Sequence, residues 1–217
     1  ELMLLKRVGR LMSGSGSAQA SVLAAFGGLE LWYNRKRSAS TDVAGVVSDI
    51  TDVSGKARHM TQTDVTRRPL LGTINGNVSW MFDGVNDCID NPNFQTPFSI
   101  AACTVLLVVT PTTILTSSND AYRLRTSDNT NRFSMRRNTD GGNLFYDSAA
   151  GTDLNLSITA TTFAANATRS VIGRFTSGAN ACNYLTSNGV SGTGTGPADP
   201  ATAIDQVHFG GTEGGVA

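Results

Sequence analysis

From Leu29 onward the chain is a succession of short strand-like runs separated by clusters of Gly, Ser, Thr and Asn, with no helical periodicity of useful length. That spacing predicts an all-β sandwich or barrel. The candidate strands are 29–33, 78–82, 98–110, 121–125, 132–136, 143–146, 154–158, 170–175, 181–186 and 204–210. Asn75-Gly76 and Asn188-Gly189 read as hairpin tips, because both central residues of a type I′ turn need positive φ.

The run FSIAACTVLLVVT at 98–110 carries Phe98, Ile100, Ala102, Leu106 and Val108 on one face and Ala101, Cys103, Val105, Leu107 and Val109 on the other. Both faces are apolar, whereas a sandwich strand ordinarily alternates between core and solvent. Its outer face must therefore be covered by a long loop, by the N-terminal arm or by a neighbouring subunit. The next two strands alternate regularly: Tyr122 and Leu124 with Arg123 and Arg125, then Phe133 and Met135 with Arg132, Ser134 and Arg136. If SDNTNR closes a hairpin, Arg125 falls opposite Arg132, and like charges facing each other cost stability. Arg123, Arg125, Arg132 and Arg136 form the candidate partner-binding face, suited to an acidic protein or an anionic glycan because guanidinium forks pair with carboxylates. The competing reading is a solvated face whose arginines extend into water.

Residues 1–28 read as an arm and flexible joint, and 29–217 as the sandwich. ELMLLKRVGRLM is interrupted by Gly9 and followed by GSGS at 14–17, and SAQASVLAAFGG leads into LELWY. The chain starts at Glu1 without an initiator Met, which suggests a processed or partial product. The order of basic and apolar residues at this end is not that of a signal peptide. IAACTVLLVV is too short to span a bilayer as a helix. With 17 basic and 17 acidic residues, net charge gives no bulk attraction to nucleic acid or anionic membrane. The three cysteines, Cys88, Cys103 and Cys182, show no CxxC spacing, which argues against a zinc site or a disulfide framework.

Catalytic classes fall away by residue type. Glutamate occurs only at Glu1, Glu30 and Glu213, so the paired Glu/Asp carboxyls of a sandwich glycosidase, roughly 5 Å apart in retaining enzymes, have no visible candidate, and only pairs of Asp stay open. His59 and His208 are the only histidines, and no GxSxG elbow presents a nucleophile to either. GTGTGP lacks the Lys-Ser/Thr of a phosphate cradle. The cluster WMFDGVNDCID at 80–90 departs from an EF-hand loop, since Gly84 follows Asp83 at once and no Glu lies in reach. Two readings stay open there: a looser calcium site of Asp83, Asn86 and Asp87, or a turn shaped by short polar side chains and a glycine. No other cofactor is expected.

LELWYN at 29–34, DVSGKARHMTQ at 52–62, Pro69, VSWMFDGVNDCI at 78–89 and FSIAACTVLLVVTP resemble, in this order, the concanavalin A-like lectin/glucanase superfamily, in particular its laminin-G-like jelly-roll branch. SVIGRF at 170–175, YLTSNG at 184–189 and VHFGG at 207–211 extend the resemblance to the C-terminal half. It implies an antiparallel two-sheet jelly-roll sandwich in which FDG shapes a strand-turn-strand junction. Members usually continue past FGG with a closing strand, which this sequence, ending at Ala217, would lack or take from a neighbour. Such domains bind glycans or proteins and recur in bacteriophage head decoration proteins and tail fibres. The resulting expectation is a non-enzymatic virion structural protein that contacts other virion proteins and copies of itself. The alternative is a carbohydrate-binding lectin module stacking sugar on Trp32, Tyr122 or Tyr146.

Overall fold

The computed structural model describes residues 2–5, 29–35, 42–43, 45–98, 102–111, 119–127, 132–138, 141–147, 154–159, 165–176, 182–194 and 203–211. Its strands are β1 (Leu2–Leu5), β2 (Leu29–Tyr33), β3 (Asp42–Val43), β4 (Val46–Val47), β5 (Asp49–Ile50), β6 (Met60–Thr61), β7 (Leu70–Ile74), β8 (Asn77–Met81) and β9 (Cys88–Asn91). They continue with β10 (Ala102–Val109), β11 (Asn119–Arg125), β12 (Arg132–Asn138), β13 (Gly141–Asp147), β14 (Leu154–Thr159), β15 (Arg169–Thr176), β16 (Cys182–Thr186), β17 (Ser191–Gly194) and β18 (Gln206–Gly210). Among the described residues the one helical element is a 3₁₀ turn at Val65–Arg67, where the Asp64 carboxylate accepts the Thr66 N–H.

The strands form a six-stranded sheet ordered β17-β16-β15-β10-β1-β2, an eight-stranded sheet ordered β14-β13-β12-β11-β18-β9-β6-β5, and a small sheet ordered β3-β4-β7-β8. The two large sheets share one core. Leu31, Tyr33, Cys103, Val105, Leu107, Val171 and Tyr184 come from the first; Ile50, Met60, Ile89, Tyr122, Leu124, Phe133, Met135, Val207 and Phe209 come from the second. This is an all-β antiparallel sandwich. In β11, β12 and β18 the core residues fall at every second position, as strand geometry requires.

The hairpin expectations divide. At the β7–β8 tip Asn75 and Gly76 both have positive φ, 52° and 76°, as a type I′ turn demands. Between β16 and β17 only Gly189 is left-handed; the Gly189 N–H donates to Thr186 O and Thr186 N–H to Val190 O, which gives a longer loop instead. In the doubly apolar run Phe98 forms an isolated bridge to Ile204 and Ala102–Val109 forms β10, while 99–101 lie outside the described residues. On the outer face of β10 Leu106, partly buried, packs with Trp32, Leu29 and Val53 in a second apolar cluster, and Val108 is also only partly buried.

At the start of the expected arm, Leu2–Leu5 forms β1, hydrogen-bonded between β10 and β2. This pairing, with strands far along the chain, is one that local sequence does not reveal. The rest of the expected arm, 6–28, lies outside the described residues.

Candidate functional site

The FDG cluster is a turn closed by its own carboxylates. Asp83 Oδ1 accepts the N–H groups of Val85 (2.8 Å), Asn86 (3.1 Å) and Asp87 (3.1 Å), and Asp87 Oδ2 accepts the Asp83 N–H at 2.9 Å. Gly84 takes φ +74°, and Asn86 donates its side-chain amide to Thr66 O. Burial works to raise the Asp83 pKa, but the three N–H donors outweigh it and hold it below its ordinary value. Burial raises that of Asp87, against the opposing Asp83 N–H. One carboxylate oxygen each of Asp83 and Asp87 and the Asn86 amide nitrogen are thus committed to backbone groups. Among the described residues no group of three or more His, Cys, Asp or Glu side chains is placed to hold a metal.

The turn is also locked against the FGG element. Gly210 and Gly211 have φ of +74° and +84°. A Cβ on Gly210 would stand 2.4 Å from Asp87 O and 2.5 Å from the Phe82 ring. The two motifs that carry the sequence resemblance therefore meet in space, and FGG needs glycine at 210 for both its backbone and its neighbours.

The arginine strip keeps its predicted register: Arg125 faces Arg132 and Arg123 faces Ser134 across β11 and β12. Its exposure differs from expectation. Arg123 is only 4% exposed, enclosed beside Ser134 and His208, and so cannot be presented to a partner. Arg125 is half-buried and donates Nε–H to Gln206 Oε1 at 2.7 Å. Burial, and then the charge of Arg123, lower its pKa, with Arg132 adding to the effect and Asp90 and Asp205 opposing it. Arg132 is half-buried, with Asp147 opposite it on β13. Arg136 faces Asp120 and Asn143 in register, and its side chain lies outside the described residues.

Two of the three proposed sugar platforms are core residues. Trp32 is buried against Leu29, Val53 and Leu106, and Tyr122 is 1% exposed against Phe133. Both rings are buried, so neither is available for stacking. Tyr146 is in register with Phe133, and its side chain lies outside the described residues.

Sequence reasoning missed the most elaborate polar cluster, built on the loop after β5. The buried Asp52 carboxylate accepts the N–H groups of Trp32, Ser54 and Arg58 and the Ser54 hydroxyl. Arg58, 3% exposed, forms an ion pair with Glu30 at 2.9 Å, donates to Glu30 O and Thr96 O, and lies over the rings of Phe94 and Phe98 at 5.1 and 4.8 Å. Tyr33 Oη–H donates to Arg58 O, and burial, then the Asp52 charge, raise the phenol pKa well above its usual value. His59 accepts the Asp52 N–H at Nδ1. The cluster ties the margin of β2 to the loops at one end of the sandwich. Its signal was the DVSGKARH string itself, in which one acid is followed by closely spaced donors.

No protein-family model matches the chain, and no curated protein does. Four solved chains match in structure. One is the mouse laminin alpha1 chain, domains LG4-5, at 13% identity and a TM-score of 0.43, with 57% of this chain and 32% of that chain covered. This chain thus spans about a third of that structure's length.

Proposed function

We propose that this protein is a non-enzymatic binding and assembly module, acting as a structural component of a virion on a phage head, tail or fibre and contacting neighbouring virion proteins. The observation that carries the binding part is the Arg125–Arg132 pair: two half-buried guanidinium groups directly opposite each other on one sheet face. Facing like charges cost stability. Asp147 opposite Arg132 and the charges of Asp90 and Asp205 on Arg125 offset part of that cost within the chain, and an acidic partner adds forked guanidinium–carboxylate pairing. The virion placement rests on the sequence resemblance alone.

The lectin alternative has lost Trp32 and Tyr122 as surface rings. The test is retention of the purified chain on isolated virus particles, compared with Arg125→Glu combined with Arg132→Glu. Retention should fall at least tenfold in the double variant, which corresponds to about 1.4 kcal/mol. Equal retention by a folded double variant rejects the arginine strip as the contact.

A further inference from the structure

We propose that β1 is an exchangeable strand: the LMLL segment completes the six-stranded sheet either of its own chain or of a second copy. This deepens the assembly reading and rests on it for its biological purpose, while the structural argument comes from the topology of the sheet.

β1 lies inside the sheet. It is hydrogen-bonded to β10 on one side and to β2 on the other, and these two neighbours do not pair with each other. Withdrawing β1 leaves a slot between two facing strand edges, each with unpaired N–H and C=O groups, and such edges recruit whatever strand can fill them. The slot is selective for an apolar strand. Leu2 stands in register between Leu107 and Tyr33, and Leu4 between Val105 and Leu31, all four neighbours being buried. On the other face Met3 stands between Leu106 and Trp32, the second apolar cluster.

The seat is also short. Pairing with β2 shifts between Leu4 and Leu5, skipping Glu30, so the ladder is regular over only the first three residues of β1. A short internal strand joined to the rest by a long connection opens more readily than its neighbours. Stretch 6–28, with glycines at 9, 14, 16, 27 and 28, reaches at most roughly 80 Å when extended. A folded body of this length has a radius of gyration of about 16 Å, hence a diameter near 40 Å. The connection therefore reaches an adjacent molecule. Closed and exchanged forms make the same strand contacts, so the balance between them is set by the connection and by local concentration. An assembled surface supplies that concentration.

The experiment uses two differently tagged full-length chains, one with Met3→Cys and the other with Leu106→Cys, both with Cys182→Ser; the described natural thiols, Cys88 and Cys103, are buried. They are co-expressed so that each folds in the presence of the other, then oxidised and separated without reductant. The expected product is a covalent dimer carrying both tags, lost when Met3→Ser replaces Met3→Cys. A single chain carrying both Met3→Cys and Leu106→Cys should close the disulfide internally at high dilution. If it does so while the co-expressed pair yields only monomers, strand exchange is overturned. If it fails to close at all, β1 does not hold this register and the proposal falls too. A doubly tagged dimer from chains that never bind particles would keep strand exchange and remove the virion reading. Particle binding by monomers alone would do the reverse.

Discussion

Asp83 and Asp87 hold each other's backbone: the Asp83 carboxylate accepts the Asp87 N–H at 3.1 Å, and the Asp87 carboxylate accepts the Asp83 N–H at 2.9 Å. The exchange turns a row of acids that looks like a metal site into a strand connection. It also gives the two acids opposite pH behaviour.

The Asp83 pKa is lowered in the folded chain, so its stabilising effect is present above the unfolded value of about 4 and is lost as pH falls through the folded one. Asp83→Ala should therefore cost more stability at pH 7 than at pH 3. The Asp87 pKa is raised, so the folded chain favours its neutral form, and that contribution is full below about pH 4 and disappears as pH rises through the folded pKa. Asp87→Asn keeps an acceptor for Asp83 N–H and removes the buried charge. Its stability relative to the parent should rise from pH 3 to pH 7. Urea unfolding of both variants at the two pH values checks the opposed slopes; parallel slopes contradict the turn.

Glycine is needed for two different reasons along the chain, and substitution separates them. At Gly76 an added methyl meets nothing within 4 Å, so Gly76→Ala carries only the left-handed backbone cost, about 1–2 kcal/mol. At Gly210 the same methyl also collides with Asp87 O and Phe82. Gly210→Ala should cost about 4 kcal/mol or more, or prevent folding. Thermal unfolding ranks the two, and equal losses would mean that FGG does not press on the FDG turn.

The Glu30–Arg58 pair is buried on both sides, so removing one partner strands the other. Arg58→Met should destabilise by about 3–5 kcal/mol, and Glu30→Gln in the same chain should recover part of that loss. A double-mutant cycle measures the coupling. Additive losses would show that Arg58 is held by its carbonyl and ring contacts alone.

What the sequence made legible follows from range. The alternation of Tyr122 and Leu124 with arginines is local, and it placed β11, β12 and their facing Arg125–Arg132 pair correctly. Asp, Asn and Gly at 83–87 form a turn whose chemistry is complete within five residues. Strands of two residues such as β3, β4, β5 and β6 carry too little period to be read. β1 is illegible for another reason: LMLL pairs with partners over a hundred residues away at β10, and nothing beside it in sequence says so. The burial of Trp32 and Arg123 likewise depends on what covers them. A surface aromatic and a core aromatic are the same letter.

Calcium provides a further check on the turn. Because Asp83, Asn86 and Asp87 are engaged with backbone groups, millimolar calcium or its chelation should leave the melting temperature unchanged. A rise of several degrees on adding calcium would restore the metal reading.

The function proposed for this sandwich is assembly with protein rather than catalysis or the holding of sugar. Light scattering across a concentration series, with the same samples applied to a glycan array, tests it most directly. The mass should climb to a defined oligomer with concentration, with no glycan retained. A monomer at every concentration that holds a glycan would contradict it.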